Sequence, residues 1–72
     1  MEPHEGERFK HRFHTYESDV IVDEVDYIRR GRWFSVEVYY HPVVPHIYGK
    51  IERRCSTLRV FNKEYKSYDN ED

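Results

Sequence analysis

The chain has 72 residues and a formal net charge of −2, with 38% hydrophobic, 36% charged and 17% aromatic residues. That length allows one domain at most, and a chain this short buries only about 60% of the surface its unfolded form exposes. A single cysteine, Cys55, rules out a disulfide framework, no apolar run reaches the ~20 residues of a membrane-spanning helix, and the rings are too many for a disordered segment. A reducing, cytoplasmic compartment is the expectation. The opening MEPHEGERFK has no apolar stretch and does not read as a signal peptide.

Charge is unevenly placed. Residues 1–28 hold eight acids and three bases, residues 29–66 hold nine bases and three acids, and the tail SYDNED adds three more acids. Such asymmetry speaks to partners and not to fold. Residues 1–7 are expected to be a flexible lead-in, 8–66 one β-rich domain, and 67–72 an acidic tail.

In chain order, RFKHRFHTY from Arg8 to Tyr16 alternates with period two. Phe9, His11, Phe13 and Thr15 share one face; Arg8, Lys10, Arg12, His14 and Tyr16 share the other, as in a half-buried strand. SDVIVDEVDYIRRG admits two readings. Ser18 suits a helix cap and Gly31 a helix end, but Val20, Ile21, Val22, Val25 and Ile28 are β-branched and the segment runs through RRGR into a further strand. A hairpin strand with a bulge near Asp23–Glu24 is the preferred reading, and a helix over 18–30 the alternative.

WFSVEVYY predicts a strand with Phe34, Val36, Val38 and Tyr40 on one face and Trp33, Ser35, Glu37 and Tyr39 on the other. HPVVPH, with Pro42 and Pro45, reads as an edge or loop. IYGKIERRC alternates again, with Ile47, Ile51 and Cys55 expected inside and Tyr48, Lys50, Glu52 and Arg54 outside. TLRVF is expected to continue as a strand with Leu58 and Val60 inward. Phe61, Tyr65 and Tyr68 then fall at helical spacing. The architecture expected is mainly β: a small five-stranded barrel or curved antiparallel sheet, SH3-like or OB-like, with a short C-terminal helical turn. An α+β sheet with a helix over 18–30 is the alternative.

The outward residues suggest a binding surface. Arg8, Lys10, Arg12, Tyr16, Arg30, Arg32, Trp33, Tyr39, Tyr48, Lys50 and Arg54 would interleave cations with exposed rings. Single-stranded nucleic acid needs that combination, because cations meet phosphates and rings stack on bases. Glu37 and Glu52 would oppose it. The same rings and arginines also suit a protein partner, since Trp, Tyr and Arg dominate protein interfaces. A protein-binding regulator or inhibitor of viral or mobile-element type is therefore the alternative, and a homodimer hiding Trp33 and Tyr39 is a third expectation.

No enzyme is expected. Cys55 in ERRCSTLR lacks the glycines and spacing of a phosphate-cradling cysteine loop, and Asp23, Glu24 and Asp26 have no nucleophile beside them. No metal or other cofactor is expected either, because His11 and His14 would point to opposite faces of a strand and His41 and His46 flank a proline loop. His11 reads as a core-edge residue between Phe9 and Phe13, and Cys55 as a core residue.

Overall fold

The computed structural model describes residues 2–14, 16–44 and 52–68. Five strands and one short helix follow in the order β1 (Arg8–His11), β2 (Val20–Arg30), β3 (Trp33–Pro42), β4 (Arg54–Thr57), α1 (Leu58–Glu64) and β5 (Tyr65–Ser67). The strands form one antiparallel sheet in the order β4-β3-β2-β1-β5. This is the mainly β architecture with a C-terminal helical turn. The sheet is open, with the short strands β4 and β5 at its edges, and is not a closed barrel.

The segment that could read as strand or helix is a strand. Its β-branched residues sit in β2, and Gly31 turns the chain back with φ of 62°, so that Arg30 faces Trp33 across a two-residue turn. Only the first turn residue has positive φ, the pattern of a type II′ hairpin with glycine in that place. The expected bulge is present: pairing with β3 shifts between Val22 and Glu24. That extra residue, Asp23, keeps Val20, Val22 and Val25 on one face although their spacing breaks period two.

One face of the sheet holds the core. Phe9, Val20, Val22, Val38, Tyr40 and Tyr65 are buried together with Phe61 from α1, and Val25 and Leu58 pack at the margin. The rings do most of the filling. Phe61 meets Phe9 at 5.0 Å and Tyr40 at 5.2 Å edge-on, and stacks on Tyr65 at 5.0 Å. Helix α1 is started by Thr57, whose hydroxyl accepts the Val60 amide at 3.3 Å. Its end is closed from β1's side of the molecule: the Arg12 amide donates to the Glu64 carbonyl at 2.7 Å, and Arg12 Nε donates to the Asn62 and Tyr65 carbonyls at 2.9 and 3.1 Å. Pro3 is buried, and the Gly6 amide donates to the Val22 carbonyl at 2.8 Å, so this part of the opening segment lies on the domain.

Five expectations are corrected. Phe13 is 73% exposed, because β1 stops at His11: His11 Nδ1 accepts the amides of Phe13 and His14 at 3.2 and 3.0 Å and bends the chain out of the sheet. The strand TLRVF is a helix from Leu58 onward, since the Thr57 cap satisfies a first-turn amide that a strand would have to pair elsewhere. Val60 is accordingly exposed and Phe61 takes the core position. Cys55 lies on the outer face and Arg54 on the core face, because Arg54 pairs with the buried Tyr40 and Cys55 with the outward Tyr39. Tyr40 completes that inner corner by sharing a hydrogen bond with Ser56 at 2.9 Å. His11 is a core-edge residue, its ring edge-on to Tyr65 at 5.1 Å.

Candidate nucleic-acid interface

The longest strands carry the first candidate surface. β2 and β3 pair over their whole length, whereas β4 pairs only with Glu37–Tyr40 and β1 only with Val20–Ile21. The distal part of the β2–β3 hairpin is therefore a two-stranded arm, its base beside Leu58, Arg59 and Asn62 of α1. Register distributes its side chains. Tyr27, Arg29, Phe34 and Val36 lie on the core side of the sheet, and Ile28, Arg30, Trp33 and Ser35 on the outer side. Tyr27, Trp33 and Phe34 are 61%, 77% and 72% exposed. Arg29 sits 5.9 Å over the Phe34 ring and its Nε donates to the Gly31 carbonyl at 3.3 Å. Arg30 makes a loose ion pair with Glu37 at 3.6 Å, and Arg32 in the turn makes no ion pair with any described residue.

A second basic and aromatic cluster forms at the β1–β5 corner of the outer face. Lys10 lies 5.0 Å over the Tyr68 ring and Arg8 5.9 Å from it. Lys66 is directly opposite Lys10 in the ladder. Asp19 partly neutralises this corner: Arg8 Nε donates to it at 2.8 Å, and the Tyr68 hydroxyl donates to the same carboxylate oxygen. Burial raises the Asp19 pKa, but the hydrogen bonds from Tyr68 and Arg8 outweigh it and hold the carboxyl below its ordinary value. The bonded carboxylate also raises the Tyr68 phenol. A shallow cavity of about 200 Å³ opens beside this corner, lined by Lys10, His11, His14, Glu17, Asp19 and Tyr68. The Tyr16 hydroxyl shares a hydrogen bond with Nδ1 of His14, one of these lining residues, at 3.2 Å.

An acidic band separates the two clusters. Asp23, Glu24, Asp26 and Glu37 all lie on the outer face of β2 and β3. Arg53 is drawn into it, 3.9 Å from Asp23 and 3.8 Å from Glu24, and lies 4.9 Å over Tyr39. His41 Nδ1 meets Asp23 at 2.7 Å. The Cys55 thiol donates to Glu37 at 3.6 Å; partial burial raises its pKa, the Tyr39 hydrogen bond opposes this, and Glu37 reinforces it. A thiol so placed is poorly suited to act as a nucleophile.

The expected site residues thus fall into separate places. Arg30, Arg32 and Trp33 share the arm, and Arg8 and Lys10 share the corner, with Tyr16 near it. Tyr39 lies in the acidic band under Arg53. Arg12 caps α1, and Arg54 faces the core beside Tyr65, whose phenol is pushed up to about 12 mainly by burial, with Tyr40 adding and Arg54 opposing. Tyr48 and Lys50 lie outside the described residues, as do His46, Ile47, Gly49 and Ile51. Tyr27, Arg29 and Phe34 on the arm, and Lys66 and Tyr68 at the corner, were not among the expected site residues. Pairing outward from RRGR would have placed Arg29 opposite Phe34; nothing local in SYDNED points to the corner.

Among the described residues no group of three His, Cys, Asp or Glu side chains is placed to hold a metal ion. No helix among them is long and apolar enough to cross a membrane. No protein family, no curated protein and no solved structure matches this chain.

Proposed function

We propose that the protein is a small non-enzymatic module that binds single-stranded nucleic acid through the β2–β3 arm. One observation carries the reading: from Tyr27 to Val36 the arm holds Arg29, Arg30 and Arg32 among the exposed rings of Tyr27, Trp33 and Phe34, with no acid between Asp26 and Glu37. Arginines on a projecting ribbon meet phosphates without a desolvation penalty at their base, and each exposed ring offers a stacking face worth roughly 1–3 kcal/mol per base. The acidic band would repel phosphates from the centre of the sheet and so confine contact to the arm, with Lys10, Arg8 and Lys66 as a second anchoring point.

Trp33 is the only tryptophan and its own reporter. Titration with a labelled oligonucleotide at about 50 mM salt should quench Trp33 and raise anisotropy, with affinity falling steeply as salt increases. Arg30→Ala and Arg32→Ala should each weaken binding and shallow the salt slope by about one. No response from any oligonucleotide at low salt removes the reading. The exposed rings of the arm also favour a second reading, a partner protein for which Trp33, Phe34 and Arg32 are the anchors. Capture of a protein that survives nuclease treatment, and is lost on Trp33→Ala, would select it.

A further inference from the structure

The arm carries a feature that nucleic-acid binding does not use. β1 pairs with β2 only at Val20 and Ile21, and the segment before it holds the β2 edge one residue further. There the Gly6 amide donates to the Val22 carbonyl at 2.8 Å, and the Val22 amide donates to the Glu7 carbonyl at 3.0 Å. The Glu7 amide donates to the His4 carbonyl at 3.0 Å, in a turn with Gly6 at φ of 82°, so the chain reverses at this point. From Val25 to Arg29 no described residue pairs with β2 on the side away from β3. In a two-residue hairpin the closing pair, here Arg30 and Trp33, exchanges both of its backbone bonds, so Arg30, Ile28 and Asp26 bond to β3. The amides and carbonyls of Val25, Tyr27 and Arg29 therefore point to the open edge. Such a row of aligned donors and acceptors is a template for another strand.

We propose that this β2 edge pairs antiparallel with the same edge of a second copy, about a two-fold axis at Ile28. Backbone polarity is self-complementary: Tyr27 of each copy exchanges both of its backbone bonds with Arg29 of the other. Charge argues for a second copy as the occupant. On the outer side Ile28 meets Ile28 at the axis, and Asp26 of each copy stands opposite Arg30 of the other, so the two-fold makes the pair twice. Both groups are available for it. Asp26 makes no ion pair with any described residue, and Arg30 holds only the loose one with Glu37 at 3.6 Å. On the core side Arg29 of one copy lies opposite Tyr27 of the other, whose hydroxyl donates to Glu2. A ring beside a carboxylate suits a guanidinium. The register also fits the space, because the incoming tip ends at Gly31 opposite Val25, short of Val22, where Gly6 and Glu7 hold the edge. An axis at Tyr27 would carry the tip to Asp23, against Gly6. Strand order across the contact is β3-β2-β2-β3, so Trp33 of each copy lies away from it and its stacking face stays open.

The test uses the full chain without nucleic acid, so its outcome is independent of the nucleic-acid reading. Sedimentation over ~10 µM to ~1 mM should show the 9.0 kDa mass doubling with concentration. Hydrogen exchange of the Tyr27 and Arg29 amides should slow over the same range, while that of Phe34, on the opposite edge of the arm, stays constant. Arg30→Asp sets like charges opposite each other at both ends of the contact and should raise the dissociation constant at least about tenfold. Adding Asp26→Arg to the same chain exchanges the two charges, restores both pairs and should bring the dimer back. Tyr27→Pro should also weaken the pair, by removing an outward amide in a place where an edge strand tolerates proline. Circular dichroism confirms that each variant is folded, and exchange in the unaltered chain decides the matter if one is not. A mass of 9.0 kDa throughout overturns the proposal. So does a dimer that survives Arg30→Asp, a folded double variant that stays monomeric, or exchange at Tyr27 and Arg29 that ignores concentration.

Discussion

Phe61→Ala should cost more stability than any other single truncation in α1. Phe61 is the helix's one buried residue, fully covered, and its ring touches Phe9, Tyr40 and Tyr65 at 5.0, 5.2 and 5.0 Å. Truncation removes the transfer energy of the ring and leaves a hole that three rigid aromatic neighbours cannot close, a cost of about 3–5 kcal/mol. A chain of this size has a total stability of roughly 4–11 kcal/mol from the usual per-residue range. The loss is thus a large fraction of the whole. With an m-value of about 1 kcal/mol/M in urea, the midpoint should fall by about 3 M or more. Urea unfolding followed by far-UV circular dichroism measures this directly. Val60→Ala is the control: Val60 is 42% exposed one residue earlier in the same helix, and its truncation should stay within about 0.5 kcal/mol. A midpoint shift under about 1 M for Phe61→Ala, or equal shifts for both variants, would refute the docking of α1 by this one ring.

Thr57→Ala removes the side-chain acceptor of the Val60 amide and should cost about 1 kcal/mol, read as a lower urea midpoint, while Thr57→Ser should restore most of it. Alkaline stability should follow Tyr65. Its folded pKa of about 12 lies above the ordinary 10.0, so the contribution is complete below pH 10.0 and is lost as pH rises toward about 12. Absorbance of tyrosinate should lose its latest step, near pH 12, in Tyr65→Phe; an unchanged alkaline end of the titration would count against the burial. Asp19 behaves with the opposite sign. Its folded pKa is lowered, so its contribution is present above the ordinary carboxylate value and is lost as pH falls through the folded one; Asp19→Asn should flatten the acid limb of a thermal-stability profile. Alkylation of Cys55 should be slow at neutral pH and should accelerate in Glu37→Gln, which removes the carboxylate that raises the thiol.

How legible each part was depended on the range of the interactions that made it. The hairpin could be read because its signals are local: β-branched residues on both sides, and a glycine whose positive φ closes the turn. The bulge was legible too, since Val20, Val22 and Val25 cannot share a face without an extra residue. β4 was misread because alternation gives two faces but not which one is inward. Arg54 and Cys55 differ by one position, and pairing with Tyr40 and Tyr39, which lie a loop away, chose between them. The same limit applies to Phe34. Its parity puts it with Val38 and Tyr40, but it lies outside the core cluster and is 72% exposed.

The sequence by itself determined a mainly β domain built on one long hairpin, because hydrophobic period and turn chemistry act within a few residues. Tertiary structure alone decided where its charges work. Arg12 became a helix cap through carbonyls some fifty positions away, and Arg8 and Lys10 found Tyr68 across β5. The acidic band arose only when β2 and β3 laid Asp23, Glu24, Asp26 and Glu37 side by side. A cation is available to a partner only if the fold leaves it without an acid or a carbonyl of its own, and strand order sets that.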